Sequence, residues 1–224
     1  MPRPLSISVV AFIAAAAIAA AAPIPAGQIP APLATAVTQL ERGWANANYT
    51  LTDPTRQKLA LDAVIAQATA LAARYPDRAE PLVWRGVAQT TQAGVVGGMT
   101  GFGLVKAARQ SLEAAERIDP AAADGLGLVQ LGVLYYQVPG FPIAFGDRGK
   151  ARRYLARALA VDPDSLAANL ALGDYWFSGG NMAKAEAALR HALAAAPCAG
   201  QPVAEAGRRA EVAVLLAKIA ARRR

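Results

Sequence analysis

Residues that could carry out covalent or acid–base chemistry are scarce in this chain of 224 residues, which holds one histidine and one cysteine. A Cys/His zinc site, an iron–sulfur centre and an internal disulfide are therefore excluded, because each needs several Cys or His side chains. His191 has no Cys or Ser motif beside it, so we interpret it as a surface histidine rather than a general base. Cys198 has no disulfide partner within the chain, and we interpret it as buried or inert.

Two other features resemble catalytic or nucleotide-binding motifs without completing them. Gly149-Lys150 would suit a phosphate-binding loop, but Ala144 stands where that loop needs Gly, and Ala151 where it needs Ser or Thr. The dipeptides Asp119-Pro120 and Asp162-Pro163 are typical of helix junctions rather than of paired catalytic carboxylates. We therefore predict no catalytic residue, no metal site and no cofactor, and interpret the chain as a non-enzyme.

The composition favours an all-α protein. Alanine accounts for 56 of the 224 residues, and Ala is the best helix former and is depleted in strands. The net charge is +7, but much of the basic excess lies after residue 200, where a helix C-terminus favours cations. The charge distribution thus argues against nucleic-acid binding.

The N-terminus has the pattern of a targeting segment. Arg3 precedes a run of apolar and small residues that ends in four alanines, which is typical of a Sec-type signal peptide over residues 1–22. The alternative is an uncleaved membrane anchor, but residues 23–32 follow as a Pro-rich spacer, and we favour cleavage with no stable membrane span afterwards. No Cys lies near the cleavage region, so we expect an exported, periplasmic protein that is not a lipoprotein.

Beyond the spacer the chain repeats itself. The pattern Ala-x3-Leu-x2-Ala-x4-Pro places three small or apolar residues on one helical face, and the Pro then ends the helix. Upstream of each copy, a Gly with neighbouring aromatic residues marks another helix. The pattern occurs three times, at Ala108, Leu112, Ala115 and Pro120, at Ala151, Leu155, Ala158 and Pro163, and at Ala185, Leu189, Ala192 and Pro197.

A helix pair of this kind resembles the tetratricopeptide repeat (TPR), and the segment Leu172–Pro197 fits that template without gaps. The resemblance implies an all-α, TPR-like helical-hairpin solenoid over residues 33–224, with enlarged loops inside the repeats and a C-terminal capping helix over 201–222. We expect repeats near 77–120, 121–163 and 164–197. A degenerate repeat near 33–76 precedes them, with helices near 33–47 and 55–74.

The two enlarged loops are apolar insertions, Gly94–Gly103 and Val138–Asp147. Equivalent loops of stacked repeats emerge on one edge, so we expect both on the same rim of the solenoid. They either bind a partner or fold inward and plug the core, with Asp147 capping the next helix. The residues that would form this rim are Phe102, Pro139, Phe141, Pro142, Phe145 and Asp147.

The first helices of stacked TPR pairs line a concave groove. The resemblance implies that the groove is mostly apolar and that Asp174 is its one clear charge. Alternatively, the amphipathic helix 201–222 folds back and fills it. The residues that the template places in the groove are Val83, Val87, Val129, Val133, Tyr136, Leu170, Asp174 and Phe177.

These observations predict an exported, non-catalytic scaffold that holds an apolar segment of another protein in the groove. The alternative is a periplasmic accessory of a solute uptake system, which binds a hydrophobic small molecule and a solute-binding protein. In its overall layout and its Phe141–Asp147 region, the chain is similar to the TPR-type T component of tripartite periplasmic transporter systems. The missing lipoprotein Cys departs from that pattern.

Overall fold

A computed structural model describes residues 29–197 and 200–222, and the described residues from Ala31 onward form one compact unit. The predicted signal peptide and Cys198 lie outside the described residues. Helices alone make up the regular structure of the described part, as the composition predicts. They are α1 (Ala31–Tyr49), α2 (Pro54–Arg74), α3 (Glu80–Val96), α4 (Gly98–Ile118), α5 (Leu126–Gln137), α6 (Arg148–Val161), α7 (Leu166–Ser178), α8 (Met182–Ala194) and α9 (Pro202–Ala221).

Short polar side chains set the helix boundaries. The Asp53 carboxylate accepts a hydrogen bond from the Arg56 backbone N–H at 2.8 Å and caps α2. Asp147, Ser165 and Asn181 cap α6, α7 and α8 in the same way. The two Asp-Pro dipeptides fall directly after α4 and α6, at the helix junctions that the sequence predicts.

The helices pack as consecutive antiparallel pairs, α1 with α2, α3 with α4, α5 with α6 and α7 with α8. The first helix of each pair also contacts the first helix of the next pair, so α1, α3, α5 and α7 form a continuous layer. Helices α1 and α2 cover the segments predicted near 33–47 and 55–74. The stack is therefore the helical-hairpin solenoid expected from the repeat pattern.

The repeated Ala and Leu residues form the contact between the two helices of a pair, and all nine of them are buried. Each central Leu faces a Gly on the partner helix: Leu112 faces Gly86, Leu155 faces Gly132, and Leu189 faces Gly173. A Cβ atom at any of these glycines would come within 2.5–2.8 Å of the Leu side chain. The absence of a side chain is what lets the helices approach so closely.

We expect Gly86→Ala to destabilise the protein by about 1–3 kcal/mol, because the new methyl group overlaps Leu112 in a packed core. Gly94 provides a matched control on the same helix, since it is exposed and a Cβ there would meet no atom within 4 Å. Gly94→Ala should stabilise the helix by about 1 kcal/mol. Chemical denaturation of both variants checks the prediction, and equal shifts would contradict it.

The prediction of a loop over Gly94–Gly103 is wrong. These residues extend α3 and α4, and the chain reverses direction at Gly97 and Gly98, whose φ values are +59° and +56°. Only glycine adopts this backbone region readily, so the two residues allow a very short connection. Gly101 then lets α4 pass the Ala93 carbonyl, which a Cβ atom would approach to 2.7 Å. The extra residues thus lengthen the helix pair instead of enlarging its loop.

The last helix closes the described part of the chain back onto its first helix. Helix α9 packs against α7 and α8, as a cap does, and it also contacts α1. Gly207 lies against the Tyr49 ring so closely that a Cβ atom would overlap it. The Arg208 guanidinium carbon lies 5.4 Å from the centre of the Trp44 ring. Thus α9 crosses the layer formed by the first helices.

Within residues 29–197 and 200–222, no helix is both long enough and apolar enough to span a bilayer.

Candidate binding cavity

A cavity of about 1050 Å³ lies between the layer of first helices and α9; we call it the central cavity. Helices α1, α3, α5 and α7 line it on one side, and α9 lines it on the other. The cavity is therefore the concave face of the solenoid, partly enclosed by the last helix.

Five of the eight residues that the TPR template places in the groove line the central cavity. These residues are Val129, Val133, Tyr136, Leu170 and Asp174. They lie on α5 and α7, the two helices for which the repeat pattern defines the register most clearly.

The other three residues lie elsewhere. Val83 and Val87 are buried in the core, because α3 is covered by its neighbours; a Cβ atom at Gly127 of α5 would lie 3.3 Å from the Val83 side chain. Thr91, one turn after Val87, is the residue of α3 that reaches the cavity. Phe177 packs outside the cavity, in the cluster around α8 and α9, with the Arg222 guanidinium 4.5 Å from its ring centre.

Two tyrosine–carboxylate pairs connect the walls of the cavity. The Tyr136 hydroxyl on α5 donates a hydrogen bond of 2.6 Å to Asp174 on α7, and the Tyr49 side chain on α1 lies close to the Glu211 carboxylate on α9. Burial raises the pKa of both tyrosines, and the adjacent carboxylate raises it further. Both hydroxyls therefore stay protonated at neutral pH, and each pair joins two helices.

The cavity is more polar than the sequence predicts. Helix α9 contributes Arg208, Glu211 and Lys218, so Asp174 is one of several charges rather than the only one. Side-chain amides on α1 and α5 add hydrogen-bonding groups at Asn48, Gln130 and Gln137. The template could not supply Asn48 or the charges of α9, because α1 and α9 lie outside the repeats that fit it well.

The alternative in which helix 201–222 fills the groove is partly right. Val212 and Ile219 are buried against α7 and α8, so this face of α9 acts as a cap. Another face, with Val214 and Leu215, lines the cavity. Helix α9 is thus one wall of the cavity and leaves its interior open.

The second predicted insertion, Val138–Asp147, is a loop between α5 and α6. Phe145 packs inward, with its ring 5.5 Å from that of Tyr135 and the Arg109 guanidinium of α4 lying 4.3 Å from its centre. Phe141 points outward and is 93% exposed. One aromatic residue of the loop therefore anchors it, while the other is available to a partner.

Some of the remaining rim residues are likewise exposed, while others contact the helices. Pro139 and Pro142 are exposed beside Phe141, and Asp147 caps α6 by accepting a hydrogen bond from the Lys150 N–H. This capping contact, together with the basic residues nearby, holds the pKa of the Asp147 carboxyl below its usual value. Phe102 belongs to α4 rather than to a loop, with the Lys106 ammonium 4.5 Å from its ring centre.

We expect Phe141→Asp to leave the melting temperature unchanged, because the side chain makes little contact with the protein. Phe145→Ala should instead cost roughly 1–2 kcal/mol, since it removes the contacts with Tyr135 and Arg109 from a half-buried site. Thermal denaturation of the two variants tests this division of the loop. A large drop for Phe141→Asp would show that the loop tip supports the core.

His191 is half-exposed on α8, as expected, and its imidazole lies 2.9 Å from the Asp164 carboxylate. Within the described ranges, no cluster of three or more His, Cys, Asp or Glu side chains is arranged to hold a metal ion.

Comparison with known proteins agrees with the architecture. Residues 143–199 match the tetratricopeptide repeat family. A crystal structure of a thermophilic TPR protein from Thermus thermophilus superposes with a TM-score of 0.56 at 24% identity, covering 83% of this chain and 93% of that one. The chain has the tetratricopeptide-repeat fold. The predicted all-α TPR-like solenoid is thus confirmed, while no curated protein matches the chain. The similarity to the T component of tripartite transporter systems stays a prediction.

Proposed function

We propose that this TPR-fold protein is an exported, non-catalytic scaffold whose central cavity holds an extended segment of another protein. The observation that carries the proposal is the open cavity of about 1050 Å³ on the concave face, bounded by five helices. Its volume reaches the upper limit of typical small-molecule pockets, about 300–1,000 Å³.

The chemistry of the walls suits a peptide. Val129, Val133 and Leu170 offer apolar surface, and the side-chain amides of Asn48 and Gln130 on α1 and α5 can both donate to and accept from a peptide backbone. The Gln130 amide makes no hydrogen bond with any residue in the described part of the chain, so it is available to a ligand. An extended segment would use both kinds of surface at once, whereas a purely apolar molecule would leave the amides unused.

Export rests on the sequence of residues 1–22. Cell fractionation of the full-length chain tests this part of the proposal, and we expect a shortened form in the periplasm. A full-length product in the cytoplasm would contradict export without affecting the binding proposal.

The binding test uses two neighbouring residues of α9. Val214 lines the cavity and is half-exposed, whereas its neighbour Ala213 is exposed outside the cavity. We expect Val214→Trp to fill part of the cavity and abolish capture of the partner in affinity purification from the native organism, while Ala213→Trp retains it. Circular dichroism serves as the control for folding. Undiminished capture by a folded Val214→Trp variant would show that the partner binds elsewhere.

A further inference from the structure

A second, smaller cavity of about 330 Å³ lies beside the central cavity; we call it the acidic chamber. The turns between successive repeats form much of its wall, together with parts of α1, α3, α5, α7 and α9. Leu126, Val129, Ala167 and Arg208 line both cavities, so the two adjoin.

Negative charge dominates the chamber. Its wall includes five carboxylates and a single guanidinium, that of Arg208. Asp164 faces His191, and Glu205 forms an ion pair with Arg209 at 2.8 Å, so some of this charge is compensated locally. The five carboxylates belong to Glu41, Asp124, Asp162, Asp164 and Glu205.

Glu41 is the unusual member of this group. It is only 8% exposed, and no residue that the structure describes donates a hydrogen bond to its Oε1 atom. Arg208 attracts it electrostatically but is not within ion-pair distance, since its guanidinium lies over Trp44 and donates to Gln201 at 3.4 Å. An unpaired carboxylate in such a place is costly, and burial raises the pKa of Glu41 to about 7.

A second buried polar atom in the chamber wall also lacks a partner. The indole N–H of Trp84, a residue that is 2% exposed, donates to no acceptor among residues 29–197 and 200–222. Two residues of the chamber wall, Glu41 and Trp84, therefore each carry a buried polar atom without a hydrogen-bond partner among the described residues. A cation bound in the chamber would compensate the buried charge of Glu41.

We propose that the acidic chamber binds the guanidinium or alkylammonium group of a basic side chain from the protein segment held in the central cavity. This inference rests on the proposed function, because the adjoining central cavity supplies the backbone from which the side chain projects. The chamber volume lies near the lower limit of ligand pockets and suits one side chain rather than a longer segment. Charge-assisted hydrogen bonds to Glu41 would make the contact specific for a cation.

The test compares three probes: the blocked pentapeptide Ala-Ala-Arg-Ala-Ala, the same peptide with neutral citrulline in place of Arg, and free agmatine, which carries the guanidinium without a peptide. Binding is followed by the chemical shift of the Trp84 indole N–H, assigned with Trp84→Phe. We expect the Arg peptide to bind at least tenfold more tightly than the citrulline peptide and more tightly than agmatine.

The variants show where this preference arises. Glu41→Gln keeps the side-chain shape but removes the charge, and it should reduce the difference between the two peptides to less than twofold. Asp77→Asn removes an exposed carboxylate that lines neither cavity and should preserve the full difference. Urea denaturation verifies that each variant is folded.

Equal affinity of the wild-type protein for the two peptides would overturn the inference. So would a preference that persists in Glu41→Gln, or agmatine binding as tightly as the Arg peptide. If both peptides bind equally well and Val214→Trp abolishes that binding, the role of the acidic chamber is refuted while the proposed function stands. If the preference for the Arg peptide depends on Glu41 but Val214→Trp leaves it unchanged, the role of the central cavity is refuted instead.

Discussion

A chain that ends at Ala196 is expected to lose most of its stability and to aggregate, because α9 supplies buried apolar surface to the last repeat. Val212 and Ile219 are almost completely buried, and Leu215 and Leu216 pack beside them. Burying a Val or Ile side chain contributes about 1.5–3 kcal/mol. Removing both costs a large share of the roughly 5–15 kcal/mol that stabilises a typical domain.

A pair of substitutions in the full-length chain separates this effect from truncation itself. Ile219→Asp places a charge in the buried cluster and should cost at least about 4 kcal/mol, whereas Ala220→Asp, on the exposed face, should cost little. Denaturation, size-exclusion chromatography and binding of a hydrophobic dye measure the outcomes. A soluble, monomeric truncated protein with an unchanged melting temperature would show that α9 is not a cap.

Glu41→Gln is expected to stabilise the protein at high pH and to have little effect at low pH. Burial raises the pKa of Glu41 from its ordinary value of 4.5 to about 7, against the opposing influence of Arg208 and Arg42 and with a small contribution from Asp124. Between these two pH values the folded protein holds a proton that the unfolded chain has released. Stability therefore falls as pH rises through this window.

The expected size of the effect follows from the two pKa values. One pKa unit corresponds to 1.36 kcal/mol, so the variant should gain about 3 kcal/mol over the wild-type protein at pH 8 and almost nothing below pH 4. Urea denaturation over a pH series measures the difference. Asp77→Asn, at an exposed site, provides the comparison and should follow the wild-type curve. A Glu41→Gln curve parallel to the wild type would mean that Glu41 already has a partner.

The sequence predicted the helix pairs well because their signal is local. Ala151, Leu155 and Ala158 recur at helical spacing and end at Pro163, so periodicity alone identifies the contact face. The same pattern identified the buried Ala and Leu residues of all three copies. Local spacing thus determined which residues pack between the helices of a pair.

The glycine-rich segment shows where local signals failed. The segment Gly94–Gly103 is an insertion relative to the repeat template, and this excess length indicated an enlarged loop; its five glycines also have a low helix propensity. Packing against the partner helix outweighed that preference in the structure, as Gly101 shows by its contact with Ala93. The helix-propensity cost of glycine, about 1 kcal/mol per residue relative to Ala, is too small to prevent a helix that such contacts stabilise.

The sequence predicted the part of the candidate site that lies on the repeats, but not the part that forms where distant segments of the chain meet. Tyr136 and Asp174 come from repeats that fit the template, and the structure joins them by a hydrogen bond. Glu41, Asp124 and Glu205 are far apart in the sequence, and Glu205 joins the other two because α9 returns to α1. No spacing rule encodes that meeting, so neither the acidic chamber nor the charges of α9 could be found from the sequence.

The contact between Gly207 and Tyr49 also limits how this protein can evolve. An open solenoid tolerates duplication of a repeat, because each unit touches only its neighbours. Here an additional hairpin would carry α9 away from α1 and separate the two ends that now touch. The number of units is therefore fixed by geometry, and we expect relatives of this architecture to vary in their loops rather than in their repeat count.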